Sequence, residues 1–582
     1  MTHQTFHDPD ARWNTLFARE QADSPGAWII PFTYPGSNFT ATFKNGTSKT
    51  VQTFAQIYKD TDGQKWFNVV DGKTFYDTFV KPTETSSGAA GTAKPVIGER
   101  SAGLVGRSDE RTPAIMAAAV PRADSESTTS INKNKRAIAS PKLSKRAMPP
   151  NYPIPVIDHE TQQIGAFFLD APGLEDIAVL SFNSFASDDE YEVREFQSMV
   201  ERFITYAKAQ GKSRMIIDVS SNGGGTLFLG YDIFKQFFPT LEPDLGVRHP
   251  SSDAVNIIGE QFSTINLTSS NRVYAQGLNA QGIYMSPLHY ASSVDENQKA
   301  FSSWDDMKGP VMLNDYPFTE ILRYNLSYER LGHGGLKDIS GYGTRANLGP
   351  QPFKSEDIVL VHDGYCASTC SIFTDLMRRQ GGVRSIALGG RPQFGPMQSV
   401  GGTKGAILLT WDLVWPWIET VTTYFGTESQ RKAWKKVLPS EWAINMAANP
   451  PNANGRNAYQ PGSATPLQFL NETSECRLFY TPGMLTNITE VWDAVARVAW
   501  DIPGGAGQQC VAGSKTDGKP IGNVNLTSTE AALPKTGKDK EGAKGTVDEE
   551  GPKVDDSSAS GLIVNYLSLG LGLMVAAALN SL

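Results

Sequence analysis

Two stretches of this sequence place reactive or ligand-facing groups where a chain turns. The first, Asp218-Val219-Ser220-Ser221-Asn222-Gly223-Gly224-Gly225, follows an apolar run. Its consecutive glycines permit positive φ and leave backbone N–H groups free to face a ligand. The second, Asp363-Gly364-Tyr365-Cys366-Ala367-Ser368-Thr369-Cys370-Ser371-Ile372-Phe373, sets a serine in the opening turn of a helix. There the Ser368 hydroxyl sits at the positive end of the helix dipole, and the next amide has no intrahelical acceptor. A hydroxyl nucleophile with an unclaimed N–H beside it is half of an acyl-transfer site. The plainer alternatives are a helix N-cap for Ser368 and a tight turn for the glycines.

The elements that must position these residues read as α/β over 153–512. Ala178-Val179-Leu180-Ser181-Phe182 is an expected strand. A helix follows in which Val193, Phe196, Val200, Phe203 and Ala207 recur every three or four residues, with Ser187, Asp188 or Asp189 as cap and Gly211 as stop. Met215 to Val219 is a second buried strand, and Leu227 to Phe237 a second helix. Further strands fall at Ile358 to Val361, Ser385 to Leu388 and Ala406 to Leu409, with a helix from about Ala367. Strands alternating with helices imply a largely parallel layered sheet whose C-terminal loops carry the chemistry.

In this order, the two turns resemble the tail-specific (C-terminal-processing) serine protease family. There an Asn-x-Gly-Gly turn precedes a Ser-Ala-Ser-Glu-Ile helix start by over a hundred residues; Ser368-Thr369-Cys370-Ser371-Ile372 occupies the second motif. The likeness runs from about Ala178 to Gly405 and includes Leu388-Gly389-Gly390-Arg391. It is nearer to the branch of the chlamydial protease-like activity factor and its secreted fungal homologues, through Gly395-Pro396-Met397-Gln398 and Val400-Gly401-Gly402-Thr403-Lys404-Gly405. The resemblance implies a crotonase-like α/β core and peptide-bond hydrolysis through an acyl-enzyme. It assigns Ser368 as nucleophile and the Thr369 and Gly224 amides as oxyanion-hole donors, with Gly223 or Gly225 in place of Gly224 if the alignment slips by one.

The general base does not follow as directly. Typical family members use a lysine in a Phe-Gly-Lys-Gly turn, where this chain has Phe394-Gly395-Pro396. Lys404 is the nearest replacement and reads as a solvated lysine in a Gly-rich turn. The chlamydial branch uses an upstream histidine and an acid after the serine. Of the seven histidines, His362 is expected to be buried at a strand end, His249 and His333 to lie in loops, and His3 and His7 to sit at the start of the chain. Glu419 and Glu428 follow Ser368 at plausible distances as surface helix carboxylates, and neither is assigned. Three functions stay open: an active serine peptidase, a catalytically incomplete protein that binds extended peptides, and an esterase, the last disfavoured by the missing Gly-x-Ser-x-Gly elbow.

At 582 residues the chain exceeds what one core usually serves, and its 40% hydrophobic content is that of a folded protein. A net charge of -8 offers no basic surface for nucleic acid. No cofactor is expected, and His159-Glu160-Thr161-Gln162-Gln163 lacks the second histidine of a zinc helix. Residues 1–83 read as an N-terminal β-rich remnant of a larger domain, with a hairpin turn at Asn45-Gly46. Residues 84–152 form an expected disordered linker, with Lys135-Arg136 and Lys145-Arg146 as solvated charge or processing sites, and 513–556 a polar linker. Residues 557–582 resemble a GPI-anchor signal: a small-residue site at Ser558, then the apolar run Leu562 to Leu582. The expected partners are a polypeptide substrate and, through that lipid anchor, a membrane. A lumenal route fits seven Asn-x-Ser/Thr sequons, at Asn38, Asn45, Asn266, Asn325, Asn471, Asn487 and Asn525. An entry peptide is not visible at Met1, so an N-terminal segment carrying both that peptide and the histidine base is expected upstream. Of four cysteines, Cys476 and Cys510 are expected to pair in an oxidising compartment. Cys366 and Cys370, four apart on what reads as one helical turn, are expected to remain unbonded.

Overall fold

The computed structural model describes residues 6–17, 37–42, 45–52, 69–77 and 151–516, the last span without 160–162, 188, 266–282, 284–285, 329–332, 403, 405–407, 439–451 and 505–508. Most of the 84–152 linker, the tail beyond 516, the anchor-like segment with Ser558, His3, and the sequons at Asn266 and Asn525 lie outside the described residues.

Two strands, β1 (Asn38–Thr42) and β2 (Ser48–Gln52), form an antiparallel hairpin across the Asn45-Gly46 turn. The rest of the described chain is organised by one seven-stranded sheet. Its strands are β3 (Ile157–Asp158), β4 (Ile164–Phe168), β5 (Ile177–Phe182), β6 (Arg214–Asp218), β7 (Ile358–His362), β8 (Arg384–Leu388) and β9 (Cys476–Leu478). The spatial order is β9-β8-β7-β6-β5-β4-β3, parallel from β5 to β9 and antiparallel at the β3 and β4 edge. The segment expected to be a strand at Ala406 to Leu409 instead pairs outside this sheet, Leu408–Thr410 against Asn452–Asn454.

Strand side chains alternate between two apolar layers, as the period of two requires. Ala178, Leu180 and Phe182 of β5 face one layer with Met215 and Ile217 of β6 and Ile358 and Leu360 of β7. Ile177, Val179, Ile216, Val359 and Val361 face the other. The first layer is covered by α2 (Glu190–Ala209), α3 (Leu227–Phe237) and α4 (Thr369–Asp375), through side chains such as Phe196, Phe234 and Phe373. The second is covered by α5 (Ile488–Ala499), whose Val491, Trp492 and Val495 are buried. The architecture is therefore α/β, with helices on both faces of a mixed sheet. Helix α2 starts where Asp189 accepts the Glu192 amide at 2.9 Å and stops before Gly211, whose φ of 72° glycine tolerates without strain.

The N-terminal segment also contributes α1 (Pro9–Asn14), capped by Asp8, in a region whose pattern suggested only strands. This helix packs on the sheet's chemically interesting end. An added Cβ at Gly364 or Gly401 would lie 2.7 or 2.3 Å from the Ala11 Cβ, so both positions need glycine for α1 to approach. Asp10 is buried and accepts from the Arg391 amide at 2.8 Å and from the Arg477 guanidinium at 3.3 Å. Among the described residues, no helix is long and apolar enough to cross a membrane.

Candidate active site

The C-terminal ends of β6 and β7 lie side by side in parallel register, with Val361 opposite Asp218. That adjacency brings the two turns together although they are over a hundred residues apart in sequence. Where the strands end, side chains continue the pairing. The Ser221 hydroxyl donates to Asp363 Oδ2 at 3.0 Å, and the Ala367 amide donates to the Asn222 carbonyl at 3.3 Å. Asn14 of α1 does the same between β7 and β8: its Nδ2 donates to the carbonyls of Asp363 at 2.7 Å and Leu388 at 2.8 Å, and its Oδ1 accepts the Gly390 amide at 2.6 Å. Asp218 is fully buried, and burial raises its pKa against the hydrogen bonds from Trp492 and Ser220.

Ser368 stands immediately before α4 with φ 51° and ψ -123°, a conformation that non-glycine residues rarely adopt. Its side chain caps nothing: no hydrogen bond runs from it to the first turn of α4. The plain N-cap reading is thus overturned, because a capping serine needs extended backbone to aim its oxygen back at the helix. The residue is half-buried, with a fully buried Thr369 behind it. The Thr369 amide opens the helix and has no intrahelical acceptor.

Gly224 lies directly against this turn. With φ 99°, its missing Cβ would fall 2.7 Å from the Ser368 Cβ and 2.9 Å from the Thr369 nitrogen. The two expected oxyanion donors, Thr369 and Gly224, therefore lie on either side of Ser368. Their amides differ, however. The Gly224 N–H donates to its own turn's Asn222 Oδ1 at 2.8 Å, while the Asn222 Nδ2 donates to the Phe182 carbonyl at 2.8 Å. Gly225 is fixed by another constraint: a Cβ there would meet Phe185 and Ala186 backbone atoms at 2.0 Å. Its carbonyl accepts the Thr369 hydroxyl at 2.8 Å, which ties the glycine turn to the start of α4. Sequence reasoning missed Asn222 and the Thr369 hydroxyl as the parts that lock the turns. The Asn-x-Gly spacing was the available signal for Asn222.

Cys366 and Cys370 are bonded to each other, contrary to the expectation. That expectation assumed one regular helical turn. The helix begins only at Thr369, so Cys366 lies outside it, and the reversal at Ser368 leaves the two Cα atoms 5.4 Å apart. Cys476 is bonded to Cys510, tying β9 to the segment after α5.

The lysine and histidine readings also change. Lys404 is buried rather than solvated: its ammonium pairs with Glu472 at 3.0 Å and donates to the Leu470 carbonyl at 2.7 Å and Gln398 Oε1 at 3.1 Å. His362 is fully buried at the end of β7, and burial, reinforced by Arg378, lowers its pKa to about 3. His249 is lowered to about 3 by burial and by Arg456, with Nδ1 3.0 Å from the Gly455 carbonyl. His333 is buried edge-on against Phe228 beside α3 and is also lowered, mainly by burial. His7 is exposed, next to Phe469. Among the described residues no hydrogen bond joins Ser368 to a histidine or lysine. Glu419 and Glu428 are exposed on helices. The described residues hold no cluster of metal-ligating side chains.

Comparison with known proteins places these features. Residues 176–397 match the peptidase family S41 model, and residues 1–62 match a CPAF-like PDZ domain. Over residues 176–397 the chain is similar to peptidase family S41. Among the relatives, the peptidase S41 family protein phomP1′ of Diaporthe leptostromiformis is 27% identical over 555 residues, covering 87% of this chain and 74% of the relative. The peptidase S41 family protein ustP of Aspergillus flavus is 29% identical over 525 residues, covering 84% and 95%. Among solved structures, mature CPAF complexed with lactacystin aligns at a TM-score of 0.30 and 13% identity, over 62% of this chain and 60% of that one.

Proposed function

We propose that this chain is a serine-type endopeptidase that hydrolyses polypeptides through an acyl-enzyme on Ser368. The observation that supports this most is the Ser368 backbone at φ 51° and ψ -123°, which holds an uncapped hydroxyl at a helix start. A serine kept in so costly a conformation, with its helix left uncapped, is arranged for something other than folding. In the reaction, the Ser368 Oγ adds to the scissile carbonyl carbon while its proton passes to a general base, which delivers it to the amine nitrogen as the C–N bond breaks. The new oxyanion accepts from the Thr369 N–H, where the helix dipole also favours negative charge. A second donor comes from the glycine turn, from Gly224 if it exchanges its bond to Asn222 for the oxyanion, or from Gly223 or Gly225. Collapse expels the amine, and water then hydrolyses the acyl-enzyme. The layered sheet is read as a crotonase-like core, and the residue 1–62 match supports an extended polypeptide as the substrate.

Two disulfides and exposed sequons at Asn38, Asn45, Asn471 and Asn487 support an oxidising, extracellular setting, with half-buried Asn325 a poorer glycan acceptor. Anchoring through Ser558 rests on the sequence of the C-terminal segment alone. The second reading, a peptide-binding protein without turnover, is favoured by one observation: Lys404 is committed to Glu472, and none of the buried histidines described above bonds to Ser368. Incubation with a denatured protein substrate separates the two. Ser368-dependent fragmentation supports the peptidase, and saturable binding of the substrate without cleavage supports the binder.

A further inference from the structure

The Cys366–Cys370 disulfide encloses Ser368 in a five-residue ring, and none of the roles given above uses it. We propose that this disulfide is a positioning element for the nucleophile, holding Ser368 in the left-handed conformation from which it acylates; this rests on the reading of Ser368 as the nucleophile.

Three observations carry the inference. Cys366 lies in the turn between β7 and α4, and Cys370 is the second residue of α4, so the ring fixes the entry to the helix relative to the helix itself. The Cα atoms of the two cysteines are 5.4 Å apart, whereas four extended steps would span about 13 Å. Ala367, Ser368 and Thr369 must reverse within that gap, and the reversal is made at Ser368, with its φ of 51°. Finally, α4 does not need the ring to stay in place, because its Ile372 and Phe373 are buried in the main apolar layer.

A ring this short also does little through the unfolded chain. Loop-closure entropy grows with the logarithm of loop length, so the Cys476–Cys510 ring, closed across a separation of 34 residues, constrains the unfolded state more. What the small ring changes is the native ensemble. With it removed, Ser368 can relax toward the right-handed or extended basins that a serine prefers, and the hydroxyl leaves the Thr369 amide. The other restraints are Ala367 N–H to the Asn222 carbonyl at 3.3 Å, Cys370 N–H to the Ala367 carbonyl at 3.0 Å, Ile372 N–H and Ser371 Oγ to the Ser368 carbonyl at 3.2 and 2.7 Å, and the Thr369 hydroxyl to the Gly225 carbonyl; they hold the backbone around the turn, and none of them holds the Ser368 side chain.

The test compares the full chain with the Cys366→Ala/Cys370→Ala and Cys476→Ala/Cys510→Ala variants, using the rate of modification by a fluorophosphonate. Removing the small ring should slow modification about 10- to 100-fold, the population shift expected when a strained conformer of about 1–3 kcal/mol loses its support. On a peptide substrate, kcat should fall by a similar factor while KM moves less than about threefold, because the buried cysteines themselves do not contact the substrate. The larger-ring variant should react at the parent rate at a temperature where all three are folded. If the first variant does not accumulate folded, a phosphine is titrated onto the parent chain, and the reactive fraction is compared with the fraction of Cys366–Cys370 still bonded by peptide mass spectrometry. Parent-like reactivity without the small ring, or two free thiols at Cys366 and Cys370 in the reactive parent, overturns the proposal while the Ser368 reading stands. No modification of the oxidised parent overturns both.

Discussion

Replacing Ser368 by alanine and by glycine separates a strained nucleophile from a capping serine. If the hydroxyl capped α4, its loss to alanine would cost about 0.5–2 kcal/mol, and glycine would cost almost as little as serine itself. The structure gives a different pair of values. Ser368→Ala removes no capping hydrogen bond and keeps the same strained φ of 51°, so stability should change by less than about 0.5 kcal/mol. Ser368→Gly relieves a conformation worth about 1–3 kcal/mol and gives back about 0.5–1 kcal/mol in unfolded-chain entropy, a net gain of about 0.5–2 kcal/mol. Urea unfolding followed by tryptophan fluorescence reads this directly. At a slope of about 3 kcal/mol/M, a gain of 1 kcal/mol moves the midpoint up by about 0.3 M. Both variants should lose fluorophosphonate reactivity. An alanine variant destabilised by 1 kcal/mol or more, with glycine no better than serine, would refute the reasoning.

Other consequences follow from the neighbouring packing. Asn14→Asp removes the two donated bonds to the Asp363 and Leu388 carbonyls and sets a carboxylate against them, so it should cost about 2–3 kcal/mol in urea unfolding and slow Ser368 modification; parent-like behaviour would remove α1 from the catalytic unit. Lys404→Met leaves Glu472 without its cation and should cost about 3 kcal/mol, largely recovered in Lys404→Met/Glu472→Gln, while Ser368 modification in the folded double variant stays within about tenfold of the parent. Abolished modification in that double variant would reinstate Lys404 as the base. His362 has a folded pKa of about 3 against an ordinary 6.5, so the unfolded chain binds its proton first as pH falls. The stability it contributes is complete above about pH 6.5 and is lost progressively toward pH 3, at about 1.4 kcal/mol per pH unit. His362→Gln should therefore flatten the stability profile between pH 6.5 and 4, and an unchanged slope would show that the ring is not buried neutral.

Much of this frame was legible because periodicity reports burial. The two-residue alternation of β5, β6 and β7 and the three-to-four spacing of α2 mark buried faces directly, and Asp189 and Gly211 mark the ends of α2. What escaped was set by contacts distant in sequence or by local geometry that breaks regularity. Helix α1 lies in a segment dominated by strand-like residues, although Asp8 before Pro9 is an N-terminal signature that could have found it. Helix α5 carries its own signal in the sequence, with Ile488, Val491, Trp492, Val495 and Ala499 on one face. The Cys366–Cys370 bond is hidden from the sequence because the pattern extends the helix back to Ala367, whereas it starts at Thr369. Lys404 looked solvated because glycines surround it in sequence, while its partner Glu472 lies 68 positions on, a pairing that only the fold creates.

The central claim is that Ser368 is a nucleophile. Its most direct test is peptide-level mass spectrometry of the folded, oxidised chain after exposure to a fluorophosphonate probe, with Ser368→Ala alongside. The account predicts a single covalent adduct on the peptide containing Cys366 to Cys370, located on Ser368 and absent from the alanine variant. An unmodified Ser368 in folded protein with both disulfides intact, or an adduct that persists in Ser368→Ala, would contradict it.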